Sequence, residues 1–220
     1  MLMKIYIDEA GRGPLAGPLY VWVVLPLKKF FTKDFKDSKM LTAKRREELY
    51  AVILELAESG KILFASGNST NTVIDEIWLT KSINHAIRKA IVVMAGHDKS
   101  YCSKRAKLAI EDLKWRVDKN WDSLLVIDGK YDFLLWKDLD IETETIVKGD
   151  QKNAYIAMAS IVAKVERDRV MIQMAKRYPK YCFEKHKGYW TELHRKMIKK
   201  YGPCKIHRKL FLRNILWQKK

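Results

Sequence analysis

Residues 4–14 read Lys4-Ile5-Tyr6-Ile7-Asp8-Glu9-Ala10-Gly11-Arg12-Gly13-Pro14, an apolar strand that ends in two acidic residues and runs into a glycine-rich turn. Adjacent carboxylates repel each other, and the end of a strand offers little to offset that repulsion. A bound divalent cation would remove the conflict, and ligation by oxygen alone favours Mg²⁺ or Mn²⁺ over zinc. The stretch therefore predicts an edge-of-sheet metal site in an α/β protein.

Length and composition predict a folded protein without a membrane partner. The chain has 220 residues, which suits one α/β domain or one domain with a small appendage. Hydrophobic residues make up 48% and charged residues 31%, as in folded chains. The longest apolar run, Leu19 to Leu27, is too short to span a bilayer, and the first residues lack the pattern of a signal peptide. We expect a soluble, cytoplasmic protein.

The cysteines exclude two classes of protein. There are three of them, Cys102, Cys182 and Cys204, with no C-x-x-C spacing. An odd count without that spacing argues against a disulfide framework and against a zinc site. We expect free thiols in a reducing compartment.

Positive charge is concentrated at the C-terminal end. The net charge is +17, and the segment from Lys176 to Lys220 holds 15 Lys and Arg against 2 acidic residues, while the remainder holds 28 against 24. Such an imbalance predicts a surface that binds a polyanion, although a solvated helix face that aids solubility is the alternative. Five aromatic residues are interleaved with these charges: Tyr178, Tyr181, Phe183, Tyr189 and Trp190. Rings that stack on bases or pack on sugars favour nucleic acid over an anionic membrane.

The pattern of apolar residues and caps predicts an α/β fold. Five strands are predicted, at Lys4–Asp8, Pro18–Leu25, Lys61–Ser66, Ser123–Asp128 and Ile141–Val147. Three helices are predicted, from Thr42 to Gly60, from Thr72 to Gly96, and from about Gln151 to Arg177. The second helix opens in the style of a capping box, from Thr72 to Asp75. The chain after Pro179 is basic and mostly helical, and residues 97–112 look like an insertion. We expect a mixed sheet flanked by helices, with a basic helical C-terminal extension.

Carboxylates follow three of the predicted strands. Asp8-Glu9 and Asp128 end two strands, and Asp150 stands where another strand gives way to a helix. Ligand sites in open α/β sheets lie at strand ends, so these side chains could converge around two metal ions about 3.5–4 Å apart. Such a pair would activate a water and stabilise the leaving oxygen in phosphodiester hydrolysis. Taken singly, Asp128 also fits a turn residue and Asp150 a helix cap; only the set favours a metal site.

Two other interpretations of this region are disfavoured. Asp168 lies 18 residues after Asp150, about 27 Å away if both belong to one continuous helix, so we interpret it as structural and paired with a neighbouring Arg or Lys. The glycines after Asp8-Glu9 suggest a dinucleotide-binding turn, but their spacing is G-x-G-x-x-x-G and Pro14 intrudes. Two carboxylates would also face the pyrophosphate there, which suits only metal-bridged phosphate.

These residues resemble the signature of type 2 ribonuclease H, the bacterial ribonuclease HII family. The similar segments occur in the order of that family and span nearly the whole chain: DEAGRGPLAGP at 8–18, DSKMLT at 37–42, VIDG at 126–129, KGD at 148–150, ASIVAKVERD at 159–168, HKGY at 186–189 and HR at 207–208. The resemblance implies a ribonuclease H fold and cleavage of the RNA strand of RNA/DNA hybrids. It also implies incision 5′ of single ribonucleotides embedded in duplex DNA, by two-metal-ion catalysis that leaves 3′-hydroxyl and 5′-phosphate ends.

The resemblance also assigns roles to individual positions. The implied catalytic and metal-binding residues, with Mg²⁺ or Mn²⁺ as the two ions, are Asp8, Glu9, Asp128 and Asp150. The backbone of Gly11, Arg12 and Gly13 would contact the ribose 2′-hydroxyl, because glycine lets the backbone approach closely. Tyr189 would pack at the sugar beside the scissile junction, a buried core tyrosine being the alternative. Lys39 and Arg46 are candidates for phosphate contacts.

The resemblance further implies a domain organisation and a monomer. Residues 1–177 would form the ribonuclease H-like catalytic domain, and residues 178–220 an extension that completes the substrate-binding groove. Four features depart from the family pattern: Trp190 replaces a residue that is usually small, Leu210 replaces a common serine, residues 97–112 look extra, and Asp128-Gly129 is not followed by the usual spacing to proline. None removes a metal ligand, so they bear on substrate preference and loop geometry. The segment from Phe211 to Trp217 leaves sliding-clamp binding open.

Two further functions fit the same residues. In a non-catalytic nucleic-acid-binding protein the acidic residues would be structural caps, and binding would need no divalent ion. Another two-metal nuclease or strand-transfer enzyme on the same fold would be indifferent to the 2′-hydroxyl.

The charge distribution generates a first prediction, for a variant in which glutamine replaces four lysines: Lys196, Lys199, Lys200 and Lys205. Binding to a ribonucleotide-containing duplex should weaken and depend less on salt, because each lost phosphate contact lowers the slope of log K against log salt by about 0.9. The measurement is equilibrium binding at several salt concentrations. An unchanged slope would remove these lysines from the interface.

Overall fold

The computed structural model describes residues 3–30, 33–35, 41–94, 96, 123–129 and 142–216. The predicted insertion at 97–112, Cys102 and Lys39 lie outside the described residues. The strands are β1 (Met3–Ala10), β2 (Leu19–Pro26), β3 (Ile62–Ser69), β4 (Ser123–Asp128) and β5 (Glu142–Ile146). The helices are α1 (Ala43–Glu58), α2 (Asn71–Met94), α3 (Gly149–Lys152), α4 (Ala154–Arg177), α5 (Phe183–His186), α6 (Glu192–Tyr201) and α7 (Lys209–Leu216), with a 3-10 turn at Pro179–Tyr181. Each of the five predicted strands is present.

The five strands form one mixed sheet in the order β3-β2-β1-β4-β5. β2 pairs antiparallel with β1 and β3, whereas β4 pairs parallel with β1 and β5. The register of β1 on β4 sets Met3 beside Ser123 and Ile7 beside Ile127. The next residues of these two strands are Asp8 and Asp128, so both acidic strand ends lie at the same edge of the sheet.

Alternation along β1 sends its side chains to two different layers. Ile5 and Ile7 pack with α2 on one face of the sheet. Tyr6 packs on the other face with Ile156 of α4. Asp8 has the same parity as Tyr6 and therefore faces α4, where α1 also packs. Helix α4 therefore covers the acidic end of β1. Helices pack on both faces of the sheet, as predicted.

The long helix predicted from Gln151 to Arg177 is broken at Asn153. This residue is extended, with φ −131° and ψ 120°, and its Oδ1 accepts from the amides of Tyr155 (2.9 Å) and Ile156 (3.3 Å). Asparagine is among the best N-cap residues, so it ends α3 and starts α4. The separation of about 27 Å from Asp150 to Asp168 assumed one continuous helix, and that premise is wrong.

Helix α2 also differs from its prediction at the start. It begins at Asn71, and the hydroxyl that accepts from the amide of Val73 (3.3 Å) belongs to Thr70 rather than to Thr72. Trp78 interrupts the helix with φ 66° and ψ 162°, a conformation that side chains rarely adopt. The residue is 60% exposed.

Asp75, predicted to complete a capping box at the start of α2, instead serves α7. Its two carboxylate oxygens accept from the amides of Lys209 and Leu210, each at 2.9 Å. A carboxylate at a helix N-terminus satisfies amides that have no partner within the helix. Leu210, which departs from the family pattern, uses its backbone here.

The described residues bear on the predictions of free thiols and of a protein without a membrane partner. Cys182 and Cys204 are free thiols, as predicted. Among the described residues, no helix combines the length and apolar character needed to cross a bilayer.

The contact between β3 and α2 generates a second prediction. A Cβ at Gly67 would lie 1.8 Å from the backbone oxygen of Ala86, so Gly67→Ala must push α2 off the sheet. We expect a loss of about 3 kcal/mol in the free energy of unfolding, measured by urea denaturation. The control, Ser66→Ala on the neighbouring strand position, should cost less than about 0.5 kcal/mol. Equal stability of the Gly67→Ala protein would contradict the packing described.

Candidate active site

Three of the predicted carboxylates are close enough to repel one another. Asp8, at the carboxyl end of β1, is 6% exposed, and the side chain of Glu9 is 10% exposed. Burial, and then the charge of Glu9, raise the pKa of Asp8 well above its ordinary value, and the charge of Asp128 adds to this effect. The parallel register of β1 and β4 is the cause, because it sets Asp128 beside Asp8. A cluster of this kind favours either a proton or a cation.

Two hydrogen bonds partly offset this repulsion. The backbone amide of Glu9 donates to Asp8 Oδ1 at 2.7 Å. The hydroxyl of Ser160, on α4, donates to the same carboxylate, and both contacts lower the pKa of Asp8. Sequence reasoning gave Ser160 no role beyond its place in the segment at 159–168. Its polarity in the otherwise apolar run Ala157–Ala163 was the signal that it faces a polar group.

The short helix α3 brings Asp150 to the same edge of the sheet. The amide of Gly149 donates to Asp128 Oδ1 at 2.6 Å. A Cβ on Gly149 would lie 3.1 Å from that oxygen and 2.6 Å from Ile156 Cδ1, so the close approach requires glycine. Asp150 follows directly and is 1% exposed. The fourth predicted carboxylate is therefore anchored to the third through the adjacent backbone.

The carboxylates are neighbours but do not form a ready-made metal cage. Glu9 Oε1 pairs with Arg12 Nη1 at 3.2 Å, and Asp128 is engaged by Gly149. Over the described ranges, no three Asp, Glu, His or Cys side chains have the arrangement that holds a metal ion. The donor set itself contains only carboxylate oxygens, which suits a hard divalent cation such as Mg²⁺ or Mn²⁺.

Arg208 holds the glycine-rich loop that follows Glu9. It is fully buried and donates to three backbone oxygens: Nη2 to Gly11 (2.6 Å), Nη1 to Arg12 (3.0 Å) and Nε to Gly17 (3.0 Å). Burial lowers the pKa of Arg208 to about 9, which leaves the guanidinium charged at neutral pH. Sequence reasoning counted this residue among surface cations and missed its contacts. The guanidinium fork, with five donors, is suited to bind several carbonyls at once.

Arg167 holds the same loop from α4. It is 1% exposed and donates to the backbone oxygens of Pro18 (3.2 Å), Ala16 (3.3 Å) and Lys187 (2.9 Å). Gly11 has φ +99°, and a Cβ there would lie 2.4 Å from Arg167 Nε. Glycine at this position is therefore required both by the backbone conformation and by the guanidinium.

Tyr189 lies beside this loop and is exposed. Its ring is 5.2 Å from Arg167 Cζ, and 39% of the residue is accessible. The preceding residue, Gly188, accepts from the amide of Leu15 at 2.8 Å, which joins the segment to the glycine loop. The exposure argues against a buried core tyrosine, the alternative left open by the sequence.

A chain of neutral histidines fixes the backbone of Tyr189. His194 Nδ1 donates to the oxygen of Tyr189 at 2.9 Å, and its Nε2 lies 3.1 Å from Nε2 of His207. His207 Nδ1 accepts from the amide of Cys204 at 2.9 Å, so His207 donates to His194. Burial is the main cause that lowers the pKa of both imidazoles to about 4. Sequence reasoning missed this network because its contacts depend on how the turns between residues 189 and 207 fold, which no local pattern of residues indicates.

The remaining predicted substrate residues are less informative. Arg46, on α1, is half-buried, and its Nη1 donates to the oxygen of Leu41 at 2.6 Å. Burial lowers the pKa of Lys164, and the charge of Arg46 adds to the effect, so the two cations are neighbours. The charge of Asp168 raises the pKa of both Lys164 and Arg167, as expected for a carboxylate beside cations.

The mixed five-stranded sheet flanked by helices is the fold of ribonuclease H-type nucleases. The family model described as Ribonuclease HII matches residues 5–218, and the chain belongs to that family. A ribonuclease HII of Caldicellulosiruptor saccharolyticus is 41% identical over 210 residues, which is 96% of this chain and 87% of that protein. A ribonuclease HII of Acetivibrio thermocellus is 42% identical over 96% of this chain and 70% of that protein.

Solved structures show the same fold at lower identity. The ribonuclease H2 of Pyrococcus horikoshii OT3 superposes with a TM-score of 0.61 at 24% identity, covering 97% of each chain. The ribonuclease HII in a PCNA complex from Archaeoglobus fulgidus gives 0.63 at 22% identity, covering 100% of this chain and 96% of that one. Bst-RNase HIII, crystallised with Mn²⁺, gives 0.60 at 17% identity, covering 91% and 63%.

The raised pKa of Asp8 generates a third prediction, for Asp8→Asn in the presence of a chelator. The folded protein keeps the Asp8 proton to a higher pH than the unfolded chain, whose reference pKa is 3.8. Wild-type stability therefore falls as the pH rises from that value through the folded pKa. Asp8→Asn has no carboxyl group to ionise at this position, so its stability should not fall in this way. Above the folded pKa of Asp8 the variant should have a higher free energy of unfolding than the wild type, and this difference between the two proteins should shrink towards pH 4.

Urea denaturation at a series of pH values measures this difference. Glu58→Gln, at the exposed end of α1 away from the acidic edge of the sheet, is the control and should follow the wild type. If Asp8→Asn were less stable than the wild type at pH 8, the ionised Asp8 carboxylate would not be destabilised by burial and by the neighbouring carboxylates, and the prediction would be wrong.

Proposed function

We propose that this member of the ribonuclease HII family incises 5′ of single ribonucleotides in duplex DNA as well as cleaving the RNA strand of RNA/DNA hybrids. The proposed ligands of two divalent ions, Mg²⁺ or Mn²⁺, are Asp8, Glu9, Asp128 and Asp150. The observation that carries this proposal is the buried carboxylate of Asp8, which is repelled by the half-buried Asp128 on the adjacent parallel strand. Such a pair costs stability in a protein that has no use for it.

The residues around the cluster fit hydrolysis of a phosphodiester. Divalent ions held by carboxylates supply an activated water and neutralise charge on the leaving oxygen. Ser160 fixes the direction of the Asp8 carboxylate from α4. Arg12 keeps Glu9 at the cluster through its ion pair and would be released when Glu9 turns to a cation.

The glycine loop is proposed to read the 2′-hydroxyl. Arg208 binds the oxygens of Gly11 and Arg12. The oxygen and hydrogen of a trans peptide unit point in opposite directions, so the amides of Arg12 and Gly13 are directed away from the guanidinium. That is the orientation needed for backbone donors to reach a hydroxyl on a ribose. A 2′-hydroxyl contact is how a protein distinguishes RNA from DNA at one position.

Residues 178–220 are proposed to complete the substrate groove, with Tyr189 packing on the sugar beside the scissile bond. Two backbone hydrogen bonds support this, because they dock the C-terminal segment onto the glycine loop. The amide of Arg208 donates to the oxygen of Leu15 at 2.8 Å, and the amide of Gly17 donates to the oxygen of Ile206 at 2.9 Å. Arg46 and Lys39 remain candidates for phosphate contacts, and a monomer is the proposed state.

The fourth prediction tests the proposal on a duplex that carries one ribonucleotide. With Mg²⁺ or Mn²⁺, the wild type should cut 5′ of that ribonucleotide and leave an all-DNA duplex intact. Asp8→Asn and Asp128→Asn should each lower cleavage by more than about 100-fold, because each removes a proposed metal ligand. Both variants should still bind the duplex.

Product analysis on denaturing gels, with and without divalent ion, gives the readout. Glu58→Gln is again the control and should cleave at the wild-type rate. Full activity of Asp128→Asn would refute the ligand assignment. Equal cleavage of the all-DNA duplex would favour a DNA-directed nuclease on this fold.

A further inference from the structure

Trp190, which directly follows Tyr189, presents a large apolar side chain to solvent. It is 48% exposed, and the guanidinium carbon of Arg195 lies 5.8 Å from the centre of its ring. An exposed indole gains little from the protein interior, whereas tryptophan and arginine are enriched among residues that dominate binding. The function proposed above uses Tyr189 and leaves this neighbouring pair without a role.

The backbone on both sides of Trp190 is fixed. The amide of Tyr189 donates to the oxygen of His186 at 2.8 Å, and the oxygen of Tyr189 accepts from the amide of Thr191 at 2.9 Å. That oxygen also accepts from His194 Nδ1, and the hydroxyl of Thr191 accepts from the amide of His194 at 3.2 Å. The indole therefore projects from a turn whose backbone is already ordered before any ligand binds. This ordering lowers the conformational entropy that is lost on binding.

We propose that Trp190 is a substrate-binding residue whose indole packs on the sugar of the nucleotide next to the one that Tyr189 contacts, while Arg195 approaches the adjoining phosphate. The proposal rests on the function proposed above. Successive Cα atoms are 3.8 Å apart, which is close to the rise of about 3.4 Å per nucleotide along one strand of a duplex, so the nucleotide next to the one that Tyr189 contacts lies within the length of an indole side chain from Trp190. The bases of a duplex are stacked inside, which leaves the sugar as the surface that an indole can cover.

Charge favours nucleic acid over a protein partner at this position. The segment from Lys176 to Lys220 holds 15 basic residues against 2 acidic ones. An arginine over an indole keeps its full charge at the surface, and such pairs combine stacking with phosphate attraction in proteins that bind nucleic acid. The two side chains should therefore contribute in different ways, Trp190 independently of salt and Arg195 through counterion release.

The fifth prediction uses this difference. Binding of a labelled duplex with one ribonucleotide is measured by fluorescence anisotropy in chelator, at several salt concentrations. Trp190→Gly should weaken binding about tenfold at every salt concentration and leave the salt slope unchanged. Trp190→Phe should restore most of the affinity. Arg195→Gln should reduce the slope by about 0.9.

A matched control separates charge loss from position. Lys61→Gln removes one exposed cation at the end of the sheet opposite the acidic edge and should change neither affinity nor slope. Steady-state kinetics add a second readout, since Trp190→Gly should raise KM with little effect on kcat. Wild-type affinity of Trp190→Gly, or an unchanged slope for Arg195→Gln, overturns the proposal and is the result expected if this pair serves a protein partner.

The outcomes distinguish this inference from the function on which it rests. If the wild type cleaves the ribonucleotide-containing duplex and Trp190→Gly binds that duplex normally, only the role of Trp190 fails. If the wild type binds the duplex but cleaves nothing with Mg²⁺ or Mn²⁺, the proposed reaction fails, and the anisotropy series still decides whether Trp190 contacts nucleic acid.

Discussion

The parallel pairing of β1 with β4 is the constraint on which the site depends. It places Asp8 and Asp128 side by side at one edge of the sheet, and α4 then covers Asp8 so that its charge is poorly solvated. Buried like charges destabilise a fold, yet the same arrangement raises the affinity for a divalent cation. The protein therefore carries local strain where its chemistry is proposed to occur, and the large apolar layers on both faces of the sheet offset that cost.

Arg167 and Arg208 connect this edge to the rest of the molecule. Both guanidinium groups are buried, and between them they bind the backbone oxygens of the loop from Gly11 to Pro18. A hydrogen bond from a charged donor contributes about 1.5–3 kcal/mol. Several such bonds are needed together to offset the free-energy cost of burying a charged guanidinium. Because Arg208 belongs to the C-terminal segment, that segment supplies three of the hydrogen bonds that hold the loop proposed to read the ribose.

Much of this arrangement could be predicted from the sequence, and the exceptions have physical reasons. The five strands could be predicted because apolar runs and alternation are local patterns, and the acidic ends of β1 and β4 because a carboxylate follows each apolar run directly. The break at Asn153 was missed because asparagine is tolerated within helices and only its two hydrogen bonds to amides reveal a cap. Arg208 was counted as a surface charge, and the histidine pair His194 and His207 joins positions that only folding brings together.

Asp8, Glu9 and Asp128 are proposed to share divalent cations, although among the described residues no three such side chains already have the geometry of a metal site. Calorimetric titration of Mn²⁺ into the wild-type protein and into Asp128→Asn tests this proposal most directly. The account predicts that the wild type binds Mn²⁺ and that the variant binds it at least about tenfold more weakly, because one anionic ligand is lost. Equal affinity of the two proteins for Mn²⁺ would contradict it.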